Sequence, residues 1–432
     1  MLASITVENF KSYRQAILPL ASLTLLIGAN ASGKSNLIEA IRLLSWLAQG
    51  HKLGSIQYDI QSSDLFVRGN ARDLTMHGSD QFGFSCLFDF DFAQISLRFL
   101  VKNNELSIAA ETLKILDRSV PLYEIKETAA PGSSDIRVAY DNFARGGHKP
   151  QIVCTNQQAV FTQLQTPARF DKKHSRAQED IPKYTRLIQD VFASIVLLDP
   201  EPRAMRGYIH RSETRPRGDG SNVSAMLYAL WQDEAHREKL LSFIRSLPEQ
   251  NIVRLDFIET PRDEVMVQLV ETFGEREERV DAPLLSDGTL RVLSIAAVLM
   301  SAKRGSIVVI EEIDNGVHPS RAGQLMASIK AIATERNLRV LLTTHNPALM
   351  DALPPRALAD VVFCYRDPKE GDSRLVRLSD LPDYPELMAQ GDLGDLVTSG
   401  AVDRFVKQHP GPAEKKRRAR EWLDALKASD AA

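Results

Sequence analysis

Residues 28–35, Gly28-Ala29-Asn30-Ala31-Ser32-Gly33-Lys34-Ser35, form a glycine-rich segment with the spacing GxxxxGK[ST]. The apolar run Leu23-Thr24-Leu25-Leu26-Ile27 comes directly before it, and apolar residues at the helical period follow it. A strand, a loop and a helix in this order are the context that a phosphate-binding loop needs. Glycines let the backbone approach closely, and the amides at the helix start point towards an anion. The spacing therefore predicts a nucleotide-binding α/β core.

Each residue of this phosphate loop is expected to make a different contact with a bound nucleotide. Lys34 is expected to reach the β- and γ-phosphates, and the Ser35 hydroxyl is expected to bind Mg²⁺. The other residues expected to contact the nucleotide are Gly28, Asn30, Ser32, Gly33 and Asn36. ATP and Mg²⁺ are the cofactors that this prediction implies.

Two acidic residues and a histidine follow apolar runs in the second half of the chain. Glu311 and Glu312 come directly after Ile307-Val308-Val309-Ile310, and His345 ends the next such run. Ligands of open α/β sheets bind at the carboxyl ends of the strands. We therefore expect Glu312 and His345 to act on the nucleotide from one edge of the sheet.

A further segment, Leu285-Ser286-Asp287-Gly288-Thr289, lies more than 250 residues after Lys34 but only 26 residues before Glu312. Taken with the phosphate loop, it resembles the signature of ABC-type ATPases. A transporter's nucleotide-binding domain keeps these two motifs much closer together. The long insertion resembles the SMC, RecF and OLD branch of that family. So does the opening segment Ile5-Thr6-Val7-Glu8-Asn9-Phe10-Lys11-Ser12-Tyr13.

The resemblance covers roughly residues 1–80 and 190–365. No sustained heptads are present, so the chain looks like the compact AAA-type members without coiled coil that often occur in bacterial defence operons. The implied fold is an α/β ABC-ATPase head with a mostly parallel core sheet flanked by helices, an antiparallel β subdomain and a compact α+β insertion lobe. The expected division is residues 1–100 for the N-terminal half of the head, 101–195 for the insertion lobe, 196–365 for the C-terminal half of the head, and 366–432 for a C-terminal extension.

Family members of this type close head to tail around two ATPs, so the resemblance implies a homodimer. Ser286 and Gly288 would then meet the γ-phosphate of an ATP bound by a second copy of the chain, at the start of a helix. Asp287 stands where the family more often has glycine. Because a carboxylate beside a phosphate is unfavourable, its side chain is expected to cap the helix instead.

The resemblance also assigns the chemistry at the sheet edge. Glu312 would activate the attacking water, and His345 would hydrogen-bond the γ-phosphate. Glu311 would hold Mg²⁺ through its water shell, in place of the family's usual aspartate. The extra methylene of glutamate moves the carboxylate outwards, which favours slow hydrolysis.

Two further site residues depend on the resemblance alone. Lys11 would approach the nucleotide from the first hairpin. Gln81, which opens a strand pattern after the first helix, would reach the metal and couple the nucleotide to the insertion. Gln57 and Gln61 compete with Gln81 for this role.

The composition restricts the class of protein without naming a partner. The formal net charge of −3 provides no global attraction for nucleic acid, so DNA or RNA would need a local basic patch. The three cysteines are isolated, which indicates neither a disulfide framework nor a metal site. No apolar run is long enough to span a membrane, and the chain starts with a strand pattern rather than an export signal. We therefore expect a cytoplasmic protein.

One basic cluster is a candidate surface for phosphate groups. It is opposed only by Glu201 and Glu213, and its members are Arg203, Arg206, His210, Arg211, Arg215 and Arg217. Arginine suits phosphate because its planar fork donates two parallel hydrogen bonds. The cluster could grip nucleic acid, supply positive charge to ATP across a dimer, or remain a solvated loop.

Two classes of function follow from the sequence. We find no acidic metal cluster of a nuclease after His345 and no Ser/His/Asp arrangement, so ATP hydrolysis is the expected chemistry. The first class is an ATPase that engages DNA or RNA, in DNA repair or anti-phage defence. The second is an ATP-dependent scaffold or sensor that holds and releases a separately encoded nuclease or toxin. A transporter engine fits worst, because of the long insertion and the lack of membrane segments.

Overall fold

The computed structural model describes residues 1–56, 67–245, 252–273, 276–314, 320 and 322–408. Gln57, Gln61 and residues 409–432 of the expected C-terminal extension lie outside this part. Within it, fourteen strands form one large sheet and four form a second sheet. Among the described helices, none combines the length and the apolar character needed to cross a membrane.

The strands of the large sheet alternate with helices in the second half of the chain but not in the first. They are β1 (Leu2–Phe10), β2 (Tyr13–Pro19), β3 (Leu23–Ile27), β4 (Gln81–Phe88), β5 (Ala93–Lys102), β6 (Glu105–Ile115), β7 (Tyr123–Glu127), β8 (Asp135–Tyr140), β9 (Gln151–Thr155), β10 (Val196–Leu198), β15 (Ile307–Ile310), β16 (Arg339–Thr343), β17 (Val361–Arg366) and β18 (Ser373–Arg377). The second sheet contains β11 (Ile209–His210), β12 (Ile252–Glu259), β13 (Glu264–Phe273) and β14 (Arg276–Asp281).

The α-helices of the described residues are mostly short. They are α1 (Lys34–Ala48), α2 (Val160–Gln163), α3 (Ser175–Ala193), α4 (Val223–Trp231), α5 (Glu234–Ile244), α6 (Asp287–Ser301), α7 (Ala322–Glu335), α8 (Pro347–Asp351), α9 (Pro355–Leu358), α10 (Tyr384–Met388), α11 (Leu393–Thr398) and α12 (Ala401–Gln408). The longest, α3, packs against α1.

The strand order of the large sheet is β10-β15-β16-β3-β17-β18-β2-β1-β4-β5-β6-β7-β8-β9. The first five strands run parallel to one another. From β1 to β9, each neighbouring pair is antiparallel. The sheet therefore joins a parallel core to an antiparallel half, and the predicted α/β fold class is confirmed.

The parallel strands are buried on both faces, as expected when helices cover both sides of a sheet. In β3, Leu26 belongs to one hydrophobic core, whereas Leu25 and Ile27 belong to the other. The first core also contains the buried faces of α1 and α3, and the second contains those of α4, α6 and α7. The continuous apolar run before the phosphate loop is the sequence signature of this double burial.

The expected insertion lobe shares the sheet of the head. Strands β6–β9, within residues 101–195, extend the antiparallel half, and the expected boundary at residue 100 falls inside β5. Asn103 and Asn104 both adopt positive φ angles, of 51° and 64°, at the turn between β5 and β6. Such a turn matches the twist of a tight hairpin and keeps β6 beside β5. The division of the chain into these domains stays a prediction.

Candidate nucleotide-binding site

The register of three parallel strands brings the predicted site residues to one edge of the sheet. Ile310 of β15 pairs with Leu342 of β16, and Thr343 of β16 pairs with Leu26 of β3. Because these strands run parallel and in register, the segments that follow them leave the sheet side by side. The acidic pair, the histidine and the phosphate loop are those segments.

A cavity of 390 Å³ opens at this edge. Eight of the predicted site residues line it: Asn30, Gly33, Lys34, Ser35, Asn36, Glu311, Glu312 and His345. The other residues of its wall are Ser12, Ala31, Ile38, Arg68, Thr343 and Arg366. The loop, the acidic pair and the histidine, which are far apart in sequence, therefore share one concave site.

Two glycines of the phosphate loop are required by close contacts. Gly28 has a φ of 148°, and a Cβ atom there would lie 2.1 Å from the carbonyl oxygen of Cys364. Gly33, at the N-cap of α1, has a φ of 122°, and its Cβ would lie 2.5 Å from Ser373 Oγ. The loop thus depends on glycine both for its dihedral angles and for its contacts with β17 and β18.

Side chains from other strands hold the loop from beneath. Tyr13 donates a hydrogen bond from its hydroxyl to the Gly33 carbonyl at 3.0 Å, and Cys364 Sγ lies 3.2 Å from the same hydroxyl. Cys364 Sγ also lies 3.4 Å from the Ser32 carbonyl oxygen. Burial raises the pKa of both Tyr13 and Cys364, so both groups are neutral here. The sequence offered no signal for Cys364, because its position depends on the pairing of β17 with β3.

The ammonium of Lys34 lies at the loop itself. Its Nζ donates to the carbonyl oxygens of Gly28 at 2.6 Å and Ala29 at 3.0 Å. Partial burial lowers the pKa of Lys34, while Cys364 and Glu312 oppose that shift. This placement puts a positive charge next to the backbone amides that open α1.

The carboxylate of Glu311 is held by an arginine to which no sequence motif pointed. Arg42 of α1 donates from Nη2 to Glu311 Oε1 at 2.5 Å. Burial raises the pKa of Glu311; the positive charge of Arg42 opposes the rise, whereas Asp199 and Glu312 add to it. Asp199 follows β10, whose Leu198 pairs in parallel with Ile310, so two carboxylates leave adjacent strands together. Burial raises the pKa of Asp199 as well.

The oxygen donors of this edge suit a hard cation. The Ser35 hydroxyl and the Glu311 carboxylate line the same cavity, and Mg²⁺ is commonly bound by one or two such groups together with phosphates and water. Within the described residues, no group of three or more His, Cys, Asp or Glu side chains forms a self-sufficient metal site. The donor set therefore fits Mg²⁺ that arrives with a phosphate ligand.

Glu312 has a backbone conformation that is uncommon for glutamate. Its φ is 47°, in the left-handed region, which costs of the order of 1 kcal/mol or more. The Thr343 side chain compensates, since its Oγ1 accepts a hydrogen bond from the Glu312 amide at 2.9 Å. The next amide, that of Ile313, donates to the Thr343 carbonyl at 3.1 Å. This bend turns the chain at the end of β15 and leaves Glu312 exposed in the cavity wall.

The signature segment forms the start of α6, away from this cavity. Ser286, not Asp287, caps the helix: its Oγ accepts from the Thr289 amide at 3.1 Å. Asp287 instead accepts from Arg206 Nη2 at 2.6 Å, which corrects the expected capping role. Neither Ser286 nor Gly288 lines the cavity that contains Lys34.

Four more predicted site residues do not line the cavity: Gly28 and Ser32 of the phosphate loop, Lys11 and Gln81. Lys11 pairs its ammonium with the buried carboxylate of Glu39 on α1 and donates to the Arg68 carbonyl at 2.9 Å. Gln81 opens β4, where it pairs with Leu100 of β5. Their roles at the nucleotide and the metal stay predictions.

Several arginines of the basic cluster have partners within the chain. Besides Asp287, Arg206 bonds the carbonyl oxygens of the segment before α6, at 2.6 Å for Pro283 and 2.8 Å for Leu285. Arg211 pairs with Asp263 at 2.8 Å, and Arg217 with Glu213 at 3.1 Å. Three of the six basic residues are therefore at least partly neutralised or committed to structure.

The glycine-dependent loop, the acidic strand end and the histidine on one parallel edge define a phosphate-loop nucleotide-binding protein. Two family models match the sequence. An AAA ATPase domain model matches residues 1–123. An AAA domain model whose description also mentions the AbiEii toxin and Type IV TA systems matches residues 157–351. These matches support an ABC-type ATPase of the SMC/RecF-like branch, the type that the motifs indicated.

Individual relatives are distant. An ATP/GTP phosphatase of Helicobacter pylori is 21% identical over 363 residues, which cover 82% of this chain and 87% of that protein. The chromosome partition protein Smc of Methanocaldococcus jannaschii is 23% identical over 210 residues, 44% of this chain and 16% of that protein. The chain therefore spans only a small part of this SMC relative.

Solved structures of SMC heads are also similar to the chain. One is an SMC head bound to the C-terminal winged-helix domain of ScpA, with a TM-score of 0.44 and 15% identity, covering 87% of this chain and 96% of that one. Another is the SMC head domain from Thermotoga maritima, with a TM-score of 0.38 and 14% identity, covering 87% and 98%.

Proposed function

We propose that this chain binds ATP with Mg²⁺ in the cavity at the sheet edge and hydrolyses it to ADP and phosphate. One observation carries the proposal: Lys34, Ser35, Glu311, Glu312 and His345 line one cavity of 390 Å³. Each supplies a group that phosphoryl transfer to water needs. The matches to two AAA domain models support the same chemistry.

The reaction divides among these residues by position. The amides at the start of α1 and the Lys34 ammonium bind the phosphates. To do so, Lys34 gives up its hydrogen bonds to the loop carbonyl oxygens and donates to phosphate oxygens instead. Ser35 and Glu311 would hold Mg²⁺, which when bound supplies positive charge to the phosphate oxygens. Glu312 accepts a proton from the water that attacks the γ-phosphorus, and His345 donates to a γ-phosphate oxygen.

The hold of Arg42 on Glu311 supports slow turnover. Glu311 is longer than the aspartate that the family usually has, and one of its oxygens already accepts from Arg42 at 2.5 Å. A carboxylate engaged in this way competes less well for the water shell of a metal. We therefore propose an ATPase whose chemical step is slow.

A complete site in this proposal needs two copies of the chain. Ser286 and Gly288 begin α6 outside the cavity, so a single chain leaves the phosphates without a signature helix. We propose a homodimer that closes around two ATPs, each between one phosphate loop and the opposite signature. Specific activity should then rise with protein concentration below the dimer dissociation constant.

Mixing two inactive variants tests this arrangement. Lys34→Ala removes the loop cation, and Ser286→Arg blocks the signature. In a mixed dimer, both lesions fall on one interface and the other interface stays intact. Partial activity on mixing, together with an ATP-dependent dimer mass for Glu312→Gln, is the expected result. A protein that stays monomeric with ATP and has the same specific activity at every concentration would exclude the composite site.

We propose that the ATP-closed dimer engages DNA or RNA, in DNA repair or anti-phage defence. The proposal is supported by the resemblance to the SMC/RecF-like family and by the three remaining basic residues of the cluster, Arg203, His210 and Arg215, which are exposed. Such binding should require ATP and should weaken steeply as salt increases, because phosphate contacts release counterions. The measurement is retention of DNA and RNA by Glu312→Gln with ATP across a salt series.

A second candidate is an ATP-dependent scaffold that holds and releases a separately encoded nuclease or toxin. The internal pairing of Arg206, Arg211 and Arg217 favours it over nucleic-acid binding, because paired arginines are less available to phosphates. Phe92 and Leu116 also lie side by side, 58% and 46% exposed, and offer apolar surface to a protein partner. No retention of nucleic acid at low salt with ATP would favour this candidate.

A further inference from the structure

Arg366 lines the cavity, but neither the sequence motifs nor the family resemblance assigns it a role. It is the last residue of β17 and it lines the cavity together with Lys34 and Asn36. Strand β17 lies on the side of β3 opposite to β16 and β15. Arg366 therefore lines the cavity from the side of β3 opposite to Glu312.

Among the charged residues that line the cavity, Arg366 differs in its partners. Arg68 pairs with Glu39 at 2.6 Å, and Glu311 pairs with Arg42 at 2.5 Å. Within the part of the chain that the structure describes, the Arg366 guanidinium takes part in no ion pair or hydrogen bond. Its donors are consequently available to an anionic ligand, and arginine suits phosphate oxygens better than any other side chain.

The pairing of β17 with β18 fixes the position from which the Arg366 side chain extends. Arg366 pairs directly with Ser373 of β18, and opposite residues in an antiparallel pair carry neighbouring side chains on one face. The Ser373 hydroxyl bonds Ser12 Oγ at 2.7 Å, and Ser12 Oγ in turn accepts from Asn36 Nδ2 at 2.8 Å. This chain of contacts places Arg366 beside the first turn of α1.

The direction of a bound phosphate chain follows from these positions. Its γ end faces Glu312 and His345, beyond β3 on one side, if the proposed function holds. Its other end then faces the first turn of α1 and β17. We propose that Arg366 binds the α-phosphate of the nucleotide, as a positioning residue that contributes to affinity and not to the chemical step; this rests on the proposed function.

The test compares the affinities of ATP and ADP, since both nucleotides carry an α-phosphate but only ATP carries a γ-phosphate. Isothermal titration calorimetry with Mg²⁺ on Arg366→Ala should show both affinities reduced by the same factor, roughly tenfold or more, as for loss of a charged hydrogen bond. Arg366→Lys keeps the positive charge but not the planar, two-donor guanidinium, so its loss of nucleotide affinity should be smaller. The kcat at saturating ATP should stay near that of the wild type.

Arg14 provides the matched control. It is an exposed arginine of β2, the second strand from β17 in the sheet, and it pairs with Glu370 at 3.3 Å. It does not line the cavity, so Arg14→Ala should keep both affinities. An unchanged ADP affinity in Arg366→Ala, or a loss confined to ATP, would overturn the assignment to the α-phosphate. A wild-type protein that binds neither nucleotide would instead overturn the proposed function. Unaltered melting temperatures without nucleotide confirm that the variants are folded.

Discussion

Arg42 donates a hydrogen bond from Nη2 to Glu311 Oε1 at 2.5 Å, and so ties the helix after the phosphate loop to the end of β15. The contact joins residues 269 positions apart. It also supplies a positive charge that opposes the rise in the pKa of Glu311 caused by burial. The electrostatics of the proposed metal site therefore depend on the helix as well as on the strand.

Removing the positive charge of Arg42 should change how ATPase activity falls at acidic pH. In Arg42→Ala, the pKa of Glu311 should rise further, because the group that opposes the effect of burial is lost. The carboxylate would then take up its proton at a higher pH, and the acidic limb of the pH profile of ATPase activity should move to higher pH. Arg42→Lys should move it less. Superimposable pH–rate profiles for all three proteins would contradict this role of Arg42.

The contacts of Arg206 predict a variant that separates turnover from nucleotide binding. Arg206→Ala removes donors to Pro283, Leu285 and Asp287, and so releases the segment that presents the signature. Because this segment lies outside the cavity, the ATP dissociation constant of the monomer should stay within about twofold. The kcat should fall by about tenfold, or about 1.4 kcal/mol of transition-state stabilisation.

The control for that variant is Asp287→Asn, which leaves the bonds from Arg206 to the two carbonyl oxygens in place. It should therefore retain most of the wild-type turnover. Equal losses of affinity and turnover in Arg206→Ala would show that the residue supports the cavity directly. Both quantities come from one set of binding titrations and steady-state rates.

A buried carboxylate in the antiparallel half predicts a pH-dependent stability. The Glu111 carboxylate accepts a hydrogen bond from the Tyr123 hydroxyl at 2.6 Å. It also accepts hydrogen bonds at 2.7 Å from the amides of Val160 and Phe161, the first two residues of α2. These bonds favour the ionised form, but burial outweighs them and raises the pKa of Glu111 from 4.5 to about 7. The folded protein therefore holds the proton more tightly than the unfolded chain does.

The sign of the effect follows from this raised pKa. The stabilisation that protonated Glu111 provides is complete below pH 4.5 and is lost as the pH rises through about 7. Relative to Glu111→Gln, which does not titrate, the wild type should lose up to about 3 kcal/mol of unfolding free energy across this window. Urea unfolding of both proteins between pH 4 and 8, with buffers of about equal ionic strength, gives the difference. A difference that stays constant with pH would contradict the prediction.

The parts of the site that the sequence predicts are those encoded by local pattern. The apolar run Ile307–Ile310 coincides with β15 because a strand buried on both faces is apolar at every position. The phosphate loop is equally local, since its glycines, its lysine and its helix follow one another directly. The N-cap of α6 is also local, but it is Ser286 and not the expected Asp287.

The contacts that the sequence does not predict are long-range pairings. Asp199 joins Glu311 only because β10 lies beside β15, and nothing in residues 195–199 specifies that neighbour. The expected capping by Asp287 was wrong because Arg206, 81 positions away, takes its carboxylate. The partners of a charged side chain depend on tertiary structure, whereas caps and strand patterns need only adjacent residues.

In the proposed function, Lys34 binds the phosphates of ATP and Glu312 drives the cleavage of the γ-phosphate. Single-turnover measurement with labelled ATP tests it most directly, because bound nucleotide and released phosphate are counted in one experiment on wild type, Lys34→Ala and Glu312→Gln. The wild type should bind and cleave ATP, and Lys34→Ala should bind little. Glu312→Gln should bind normally but cleave about a hundredfold more slowly or worse. Wild-type binding by Lys34→Ala would exclude the proposed role of Lys34, and wild-type cleavage by Glu312→Gln would exclude that of Glu312.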